Sequence, residues 1–172
     1  VTHNQKEALT MSDRVVVMND GEFAQVDTPE KVYSNPASPF VADFIGNANL
    51  FDGTVVESTD AGETTVDCGG VSLQATTSKP QQPGQNVTAV IRPENIDIAG
   101  ESVAADGGEP VTTIDGTITF TQFGGGQTEF YVEPETGQEI TTIQQSEHTT
   151  LQTGDTVELQ VRSSDVLLFP NA

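Results

Sequence analysis

The sequence predicts a mainly β protein with a small α/β segment at its start, and three observations carry that expectation. Tryptophan is absent and only 34% of the 172 residues are hydrophobic, so Val, Ile and Thr must build much of the core. That composition favours sheet over helix. From Asn47 onward, short runs of alternating character are separated by Gly, Pro, Asn and Asp clusters, the punctuation of a β domain. The β region also repeats itself. Asp52-Gly53-Thr54-Val55 recurs as Asp115-Gly116-Thr117-Ile118, an offset of 63 residues from 52 to 115. Gly84, Val87, Ile91, Arg92, Ile96 and Ile98 recur as Gly154, Val157, Val161, Arg162, Val166 and Leu168, an offset of 70 from 84 to 154. Two such β modules are each too small to bury an apolar face alone and are expected to pack together.

The first segment reads element by element. Gln5 to Met11 predicts a short helix, with Asn4 as N-cap and Glu7 at the third position in the manner of a capping box. Val15–Met18 and Phe23–Val26 predict two strands joined by Asn19-Asp20-Gly21-Glu22, where Asp-Gly supplies the positive φ angles of a tight hairpin. Thr28-Pro29-Glu30 opens a second helix, with Thr as cap and Pro at the first position, and Pro36 closes that turn. Ser38-Pro39 repeats the device, Phe40, Val41, Phe44 and Ile45 form an apolar stripe, and Gly46 is expected to end the helix.

Eight strands are expected beyond it: Leu50–Glu57, Thr64–Asp67, Val71–Ala75, Val87–Arg92, Gly116–Gln122, Glu129–Glu133, Glu139–Gln144 and Val157–Arg162. Thr76–Asn86 and Ala99–Thr113 read as polar connections, the second long enough to be mobile.

Charge narrows the function classes. There are 26 acidic and 6 basic side chains, for a net charge of −20, spread as 7 acids and 3 bases in residues 1–46 and 19 acids and 3 bases in residues 47–172. Such a surface repels nucleic acid, whose binding needs clustered Lys and Arg. Lysine occurs three times, at Lys6, Lys31 and Lys79, and an acidic, lysine-poor surface suits a halophile, where molar salt screens self-repulsion. The longest aliphatic run is Val15–Met18, so direct membrane insertion is not expected, and no secretion signal opens the chain. Cys68 is the single cysteine, which excludes an internal disulfide and leaves an incidental thiol in a turn. The chain starts without an initiator methionine and in mid-pattern, and is expected to be a fragment.

The run Val1-Thr2-His3-Asn4-Gln5-Lys6-Glu7-Ala8-Leu9, followed by Ser12-Asp13-Arg14 and Val17-Met18-Asn19-Asp20-Gly21, resembles the ATPases of ABC transporters from their switch histidine (the H-loop) onward. Gly46-Asn47-Ala48-Asn49-Leu50-Phe51-Asp52-Gly53, Val87–Ile96 with its Arg92-Pro93-Glu94, and Gly154–Phe169 resemble the TOBE domain appended to importer ATPase subunits. The resemblance implies residues 1–46 as the end of a nucleotide-binding domain and 47–172 as an OB-like, MOP-like duplicated β-barrel with a regulatory, dimer-supporting role. It implies an importer of the maltose, polyamine, iron or sulfate type. The intact parent would use ATP and Mg, dimerise with a second ATPase subunit, and dock on permease subunits at the cytoplasmic face of the membrane.

His3 is the site residue that this resemblance singles out: a switch histidine whose imidazole N–H contacts the γ-phosphate in the intact parent, positioning charge rather than abstracting a proton. No G-x-x-x-x-G-K-[ST] loop, signature sequence or Walker B strand is present, so this chain alone is expected neither to bind ATP tightly nor to hydrolyse it. No metal site is expected. His148 reads as a surface residue, and Arg92 with Glu94 and Arg162 with Asp165 as fold-supporting ion pairs. The alternative function is a ligand-sensing module, because similar duplicated β domains bind oxyanions such as molybdate; the net charge disfavours that.

Overall fold

The computed structural model of the chain describes residues 2, 5–78, 80–99, 109–135, 137–145 and 150–171. It divides into two compact units, Val1–Ala48 and Asn49–Ala172. Among the described residues no helix is long and apolar enough to cross a membrane.

The first unit contains α1 (Gln5–Met11), an antiparallel hairpin of β1 (Val15–Asn19) and β2 (Glu22–Asp27), then α2 (Pro29–Ser34) and α3 (Pro39–Gly46). Asp20 and Gly21 turn the hairpin with φ of 49° and 84°, the pair of positive values that matches strand twist. Val15, Val17, Val32, Val41 and Ile45 form its small core. One cap differs from the expectation. Thr28 occupies the N-cap position of α2 but makes no side-chain cap; its own N–H is held by Asp27 Oδ1 at 2.9 Å. Helix α3 ends at Gly46 as expected, with Asn47 in the left-handed position (φ 46°), donating its N–H to Asp43 O at 2.8 Å. Asn tolerates that conformation because its short polar side chain bonds locally. The apolar stripe of α3 also divides: Val41 and Ile45 are buried, whereas Phe40 and Phe44 stack on each other at 5.7 Å and stay substantially exposed.

The second unit is two modules with the same element order. Module one is β3 (Asn49–Ser58), β4 (Glu63–Asp67), β5 (Ser72–Thr76), β6 (Asn86–Ile91), a 3-10 turn (Pro93–Asn95) and β7 (Ile96–Ile98). Module two is β8 (Val111–Phe123), β9 (Thr128–Pro134), β10 (Ile140–Gln144), β11 (Thr156–Arg162), a second 3-10 turn (Ser163–Asp165) and β12 (Val166–Pro170). Each module gives its last strand to the other. One sheet runs β12-β6-β3-β4-β5 and the other β10-β9-β8-β11-β7. Registers obey the 70-residue offset: Ile91 faces Val166 as Val161 faces Ile96, and Ala89 faces Leu168 as Leu159 faces Ile98. Both modules carry the same bulge, between Val55 and Glu57 on β3 and between Ile118 and Phe120 on β8. Both pin it alike, with Gly84 N–H donating to Val55 O and Gly154 N–H to Ile118 O, each at 2.8 Å.

β7 and β12 add to the eight expected strands. β8 begins at Val111, inside the polar connection expected over 99–113, because Thr112 and Ile114 turn into the core; residues 100–108 of that connection lie outside the described residues. The two modules share one core, including Phe51, Leu73, Ile91, Ile96, Phe130 and Leu159.

The repeated Asp-Gly has a packing cause. A Cβ on Gly53 would lie 2.7 Å from Asp67 O and Val66 Cγ1, and one on Gly116 would lie 2.6 Å from Val132 Cγ1 and 2.9 Å from Glu133 O. Backbone oxygens cannot swing aside as a side-chain tip can. Gly53→Ala and Gly116→Ala are each expected to destabilise the β domain by about 1–3 kcal/mol. Urea unfolding midpoints check this, and an unchanged midpoint would mean that the strands part freely.

Candidate functional site

His3, with Val1 and Asn4, lies outside the described residues, as does His148. The described residues that follow His3 in sequence form α1, beside which lies a cleft. Thr2 Oγ1 donates to Glu7 Oε2 at 3.1 Å; the capping box expected of Asn4 and Glu7 falls on Asn4, outside the described residues. A cleft of about 670 Å³ runs between α1 and β1, lined by Met11, Val16, Met18 and Phe44, with Glu7 and Arg14 among its polar groups. Met11 is 83% and Met18 52% exposed, so the first unit presents apolar surface beside its strand β1.

The residues present do not fit ATP and Mg by themselves. The sequence supplies no phosphate-cradling glycine loop or loop lysine. Among the described residues no three His, Cys, Asp or Glu side chains gather as a metal site.

The β domain concentrates its polar chemistry where the two sheets meet. Asn49 is buried at the start of β3; its Oδ1 accepts the Thr141 N–H and its Nδ2 donates to Thr141 O, both at 2.8 Å. The side chain therefore pairs with the β10 backbone as another strand would. At the equivalent place on β8, Thr112 Oγ1 accepts the Gln74 N–H of β5 at 2.9 Å. Thr142 Oγ1 and Gln144 Nε2 donate to Ile96 O at 2.5 and 2.7 Å, tying β10 to the donated strand β7. These buried contacts hold the strands in place.

The second 3-10 turn is tethered as well. Ser163 is buried, shares a hydrogen bond with Thr76 Oγ1 at 2.8 Å and donates to Glu109 Oε1 at 3.1 Å; Ser164 N–H donates to the same oxygen at 2.7 Å. The Ser164 bonds, chiefly, hold the Glu109 carboxyl below the usual carboxylate range. Burial pushes neighbouring Asp165 up, with Arg162 opposing and Glu109 and Asp97 adding to the rise.

Strand exchange also corrects an ion pair. Arg162 bonds Asp97 at 3.6 Å rather than the expected Asp165, because β7 lies against β11 and sets Asp97 diagonal to Arg162 on the outer face. Arg92, its counterpart in the first module, is buried. Cys68 is buried beside Gly53, and burial, then Asp67 and Asp52, pushes its thiol up to about 11, so it is no nucleophile at neutral pH. A smaller hollow of about 240 Å³ between the β4–β5 turn, β8 and the end of β9 carries Asp115 and Glu135, the wrong charge for an oxyanion.

What sequence reasoning missed is the Asn49 clamp and the exchanged strands. Their signals were a polar residue within an apolar strand start and the second half of the repeat frame, Ile96-x-Ile98 and Val166-x-Leu168.

Residues 89–169 match the family model described as the TOBE domain. The chain is 42% identical over 144 residues, 83% of its length, to "Spermidine/putrescine import ATP-binding protein PotA" of Pseudomonas aeruginosa strain UCBPP-PA14, covering 39% of that protein. It is 35% identical over 171 residues, 98% of its length, to "Sulfate/thiosulfate import ATP-binding protein CysA" of Bacillus cereus strain ATCC 10987, covering 44% of it. The chain thus spans about two fifths of the length of these curated relatives. Among solved structures, the cytoplasmic molybdate-binding protein ModG, with molybdate bound, superposes with a TM-score of 0.56 at 23% identity, covering 70% of this chain and 94% of ModG. That likeness shows a TOBE/MOP-like β fold.

Proposed function

From a chain that carries a TOBE domain and whose relatives are named import ATP-binding proteins, we propose that it is the C-terminal part of the ATP-hydrolysing subunit of an ABC importer. One observation carries this reading: the likeness to the Bacillus cereus CysA protein runs over 98% of the chain and so through both units. A stand-alone sensor would need the β domain alone.

In this reading residues 1–46 end the nucleotide-binding domain, and residues 47–172 are its regulatory domain, which supports a dimer of ATPase subunits. ATP and Mg act in the intact subunit, held largely by residues outside this sequence, with His3 as the one contact this chain contributes. Permease subunits keep the assembly at the cytoplasmic face of the membrane. The net charge of −20 is taken as adaptation to a high-salt interior. Stability is then expected to rise as KCl is added, followed by circular dichroism; a fold fully stable without salt counts against the adaptation.

ModG supports a second reading, oxyanion binding by the β domain. Against it stand the acidic hollow, the occupied polar network and the burial of Arg92. Calorimetry on this chain separates the two. Neither Mg-ATP nor molybdate is expected to bind it, while a chimera carrying the upstream part of the Pseudomonas PotA relative is expected to hydrolyse ATP. Saturable micromolar binding of molybdate would reverse the order of the readings.

A further inference from the structure

The exchanged strands show what completes each five-stranded sheet. β11 receives β7, which precedes it in the chain, and β6 receives β12, which follows it. The two donors differ in sequence, Ile96-Asp97-Ile98 against Val166-Leu167-Leu168, yet dock in equivalent registers. The acceptor edge therefore selects a register and an inward pattern of branched apolar residues, not a particular covalent connection. β12, like β7, is an edge strand with one partner in its sheet. It lies at the edge of its sheet, bonds along one side to β6, and has Leu167, Leu168 and Phe169 half-buried, with Val166 as its fully buried anchor. Its hinge is three residues long, because the backbone is already extended at Arg162 (ψ 145°) and at Val166 (ψ 112°). That hinge is closed by named contacts: Ser163 to Thr76 and Glu109, Ser164 to Glu109, and Ser163 N–H to Pro110 O at 2.9 Å.

We infer that the β6 edge is a donor-strand site for a second copy of this chain, whose β12 takes the place of the resident strand and gives a reciprocally exchanged dimer. The exchanged form reuses every β6–β12 contact of the closed chain, so the two forms differ in association entropy and hinge conformation rather than in packing. Intramolecular docking acts at a high effective concentration and wins in dilute native solution. The exchanged dimer forms when chains fold together at high concentration or when the hinge is loosened. This is distinct from the dimer of ATPase subunits proposed above and does not depend on it.

Two full-length chains with different N-terminal tags test it. They are mixed either native or co-unfolded in denaturant and refolded together across a concentration series. Capture through one tag is expected to bring the other only after co-refolding, in a fraction that rises with concentration and persists on dilution. Light scattering should give twice the chain mass. Ser163→Ala combined with Glu109→Gln is expected to raise that fraction severalfold, and Val166→Asp with Leu168→Asp to remove it. Co-capture on native mixing that survives the Val166→Asp, Leu168→Asp change would mean an ordinary surface dimer and overturn the proposal. So would the absence of co-capture at every refolding concentration, or a fraction indifferent to the hinge variant.

Discussion

Phe130→Ala is expected to destabilise the β domain by about 3–5 kcal/mol, the cost of removing a fully enclosed aromatic and leaving a cavity. Phe130 is fully buried in β9, between Thr121 of β8 and Thr142 of β10, and is the largest fully buried side chain in the described chain. Its neighbours in the core are mostly Val, Ile and Ala, stiff or short side chains with little reach to fill a void. The polar ties around it, such as Thr142 to Ile96 O, join the two edge strands of its own sheet, β10 and β7, and oppose collapse. Since domains of this size are stable by about 5–15 kcal/mol, the change removes a large share of the total. Thermal melts should shift by roughly 10 °C or more. Phe123→Ala is the control: that ring is 73% exposed, and its loss should move stability by no more than about 0.5 kcal/mol. Equal shifts for the two variants would contradict the core described above.

His3→Ala, made in a chain completed with the ATP-binding portion of a relative, is expected to lower ATP turnover by about 100- to 1,000-fold, the usual loss when one preorganised donor at a developing charge is removed. Such a donor acts more strongly on the transition state than on bound nucleotide, so turnover should fall while the KM for ATP changes little. His3→Gln keeps an N–H donor on a side chain of similar reach and should recover part of the loss. Phosphate release under steady state measures all three forms. A His3→Ala enzyme that turns over at the parent rate would remove His3 from the site and leave the TOBE assignment untouched.

Local structure was legible wherever local chemistry decides it. Asp20-Gly21 wrote its hairpin, Pro29 and Pro39 marked the first turns of α2 and α3, and alternation located eight strands within a few residues. Pairing was less legible, because alternation says which face a residue takes and not which strand lies beside it. Ile96-Asp97-Ile98 is too short to announce a strand, and its partner lies about 60 residues away, at Leu159–Val161. The repeat frame nevertheless held the answer: two offsets that preserve inward positions also preserve register, and exchange is the arrangement that satisfies both modules. Asn49 was opaque for a different reason. A lone polar residue in a strand carries no mark of whether it meets water or, as here, a backbone ninety-two positions on. At the candidate site the motif around His3 was readable while its geometry lies outside the described residues.

The handing over of last strands has a consequence for how the chain is made. Synthesis runs from N- to C-terminus, so β3 to β6 leave the ribosome well before Val166–Pro170 exists. The first module cannot finish its sheet during that interval, since the strand that seals it follows the whole of β8 to β11 in the chain. The β domain therefore closes in one late step that joins both halves, once β12 has emerged, and β6 must wait with its outer edge bare until then.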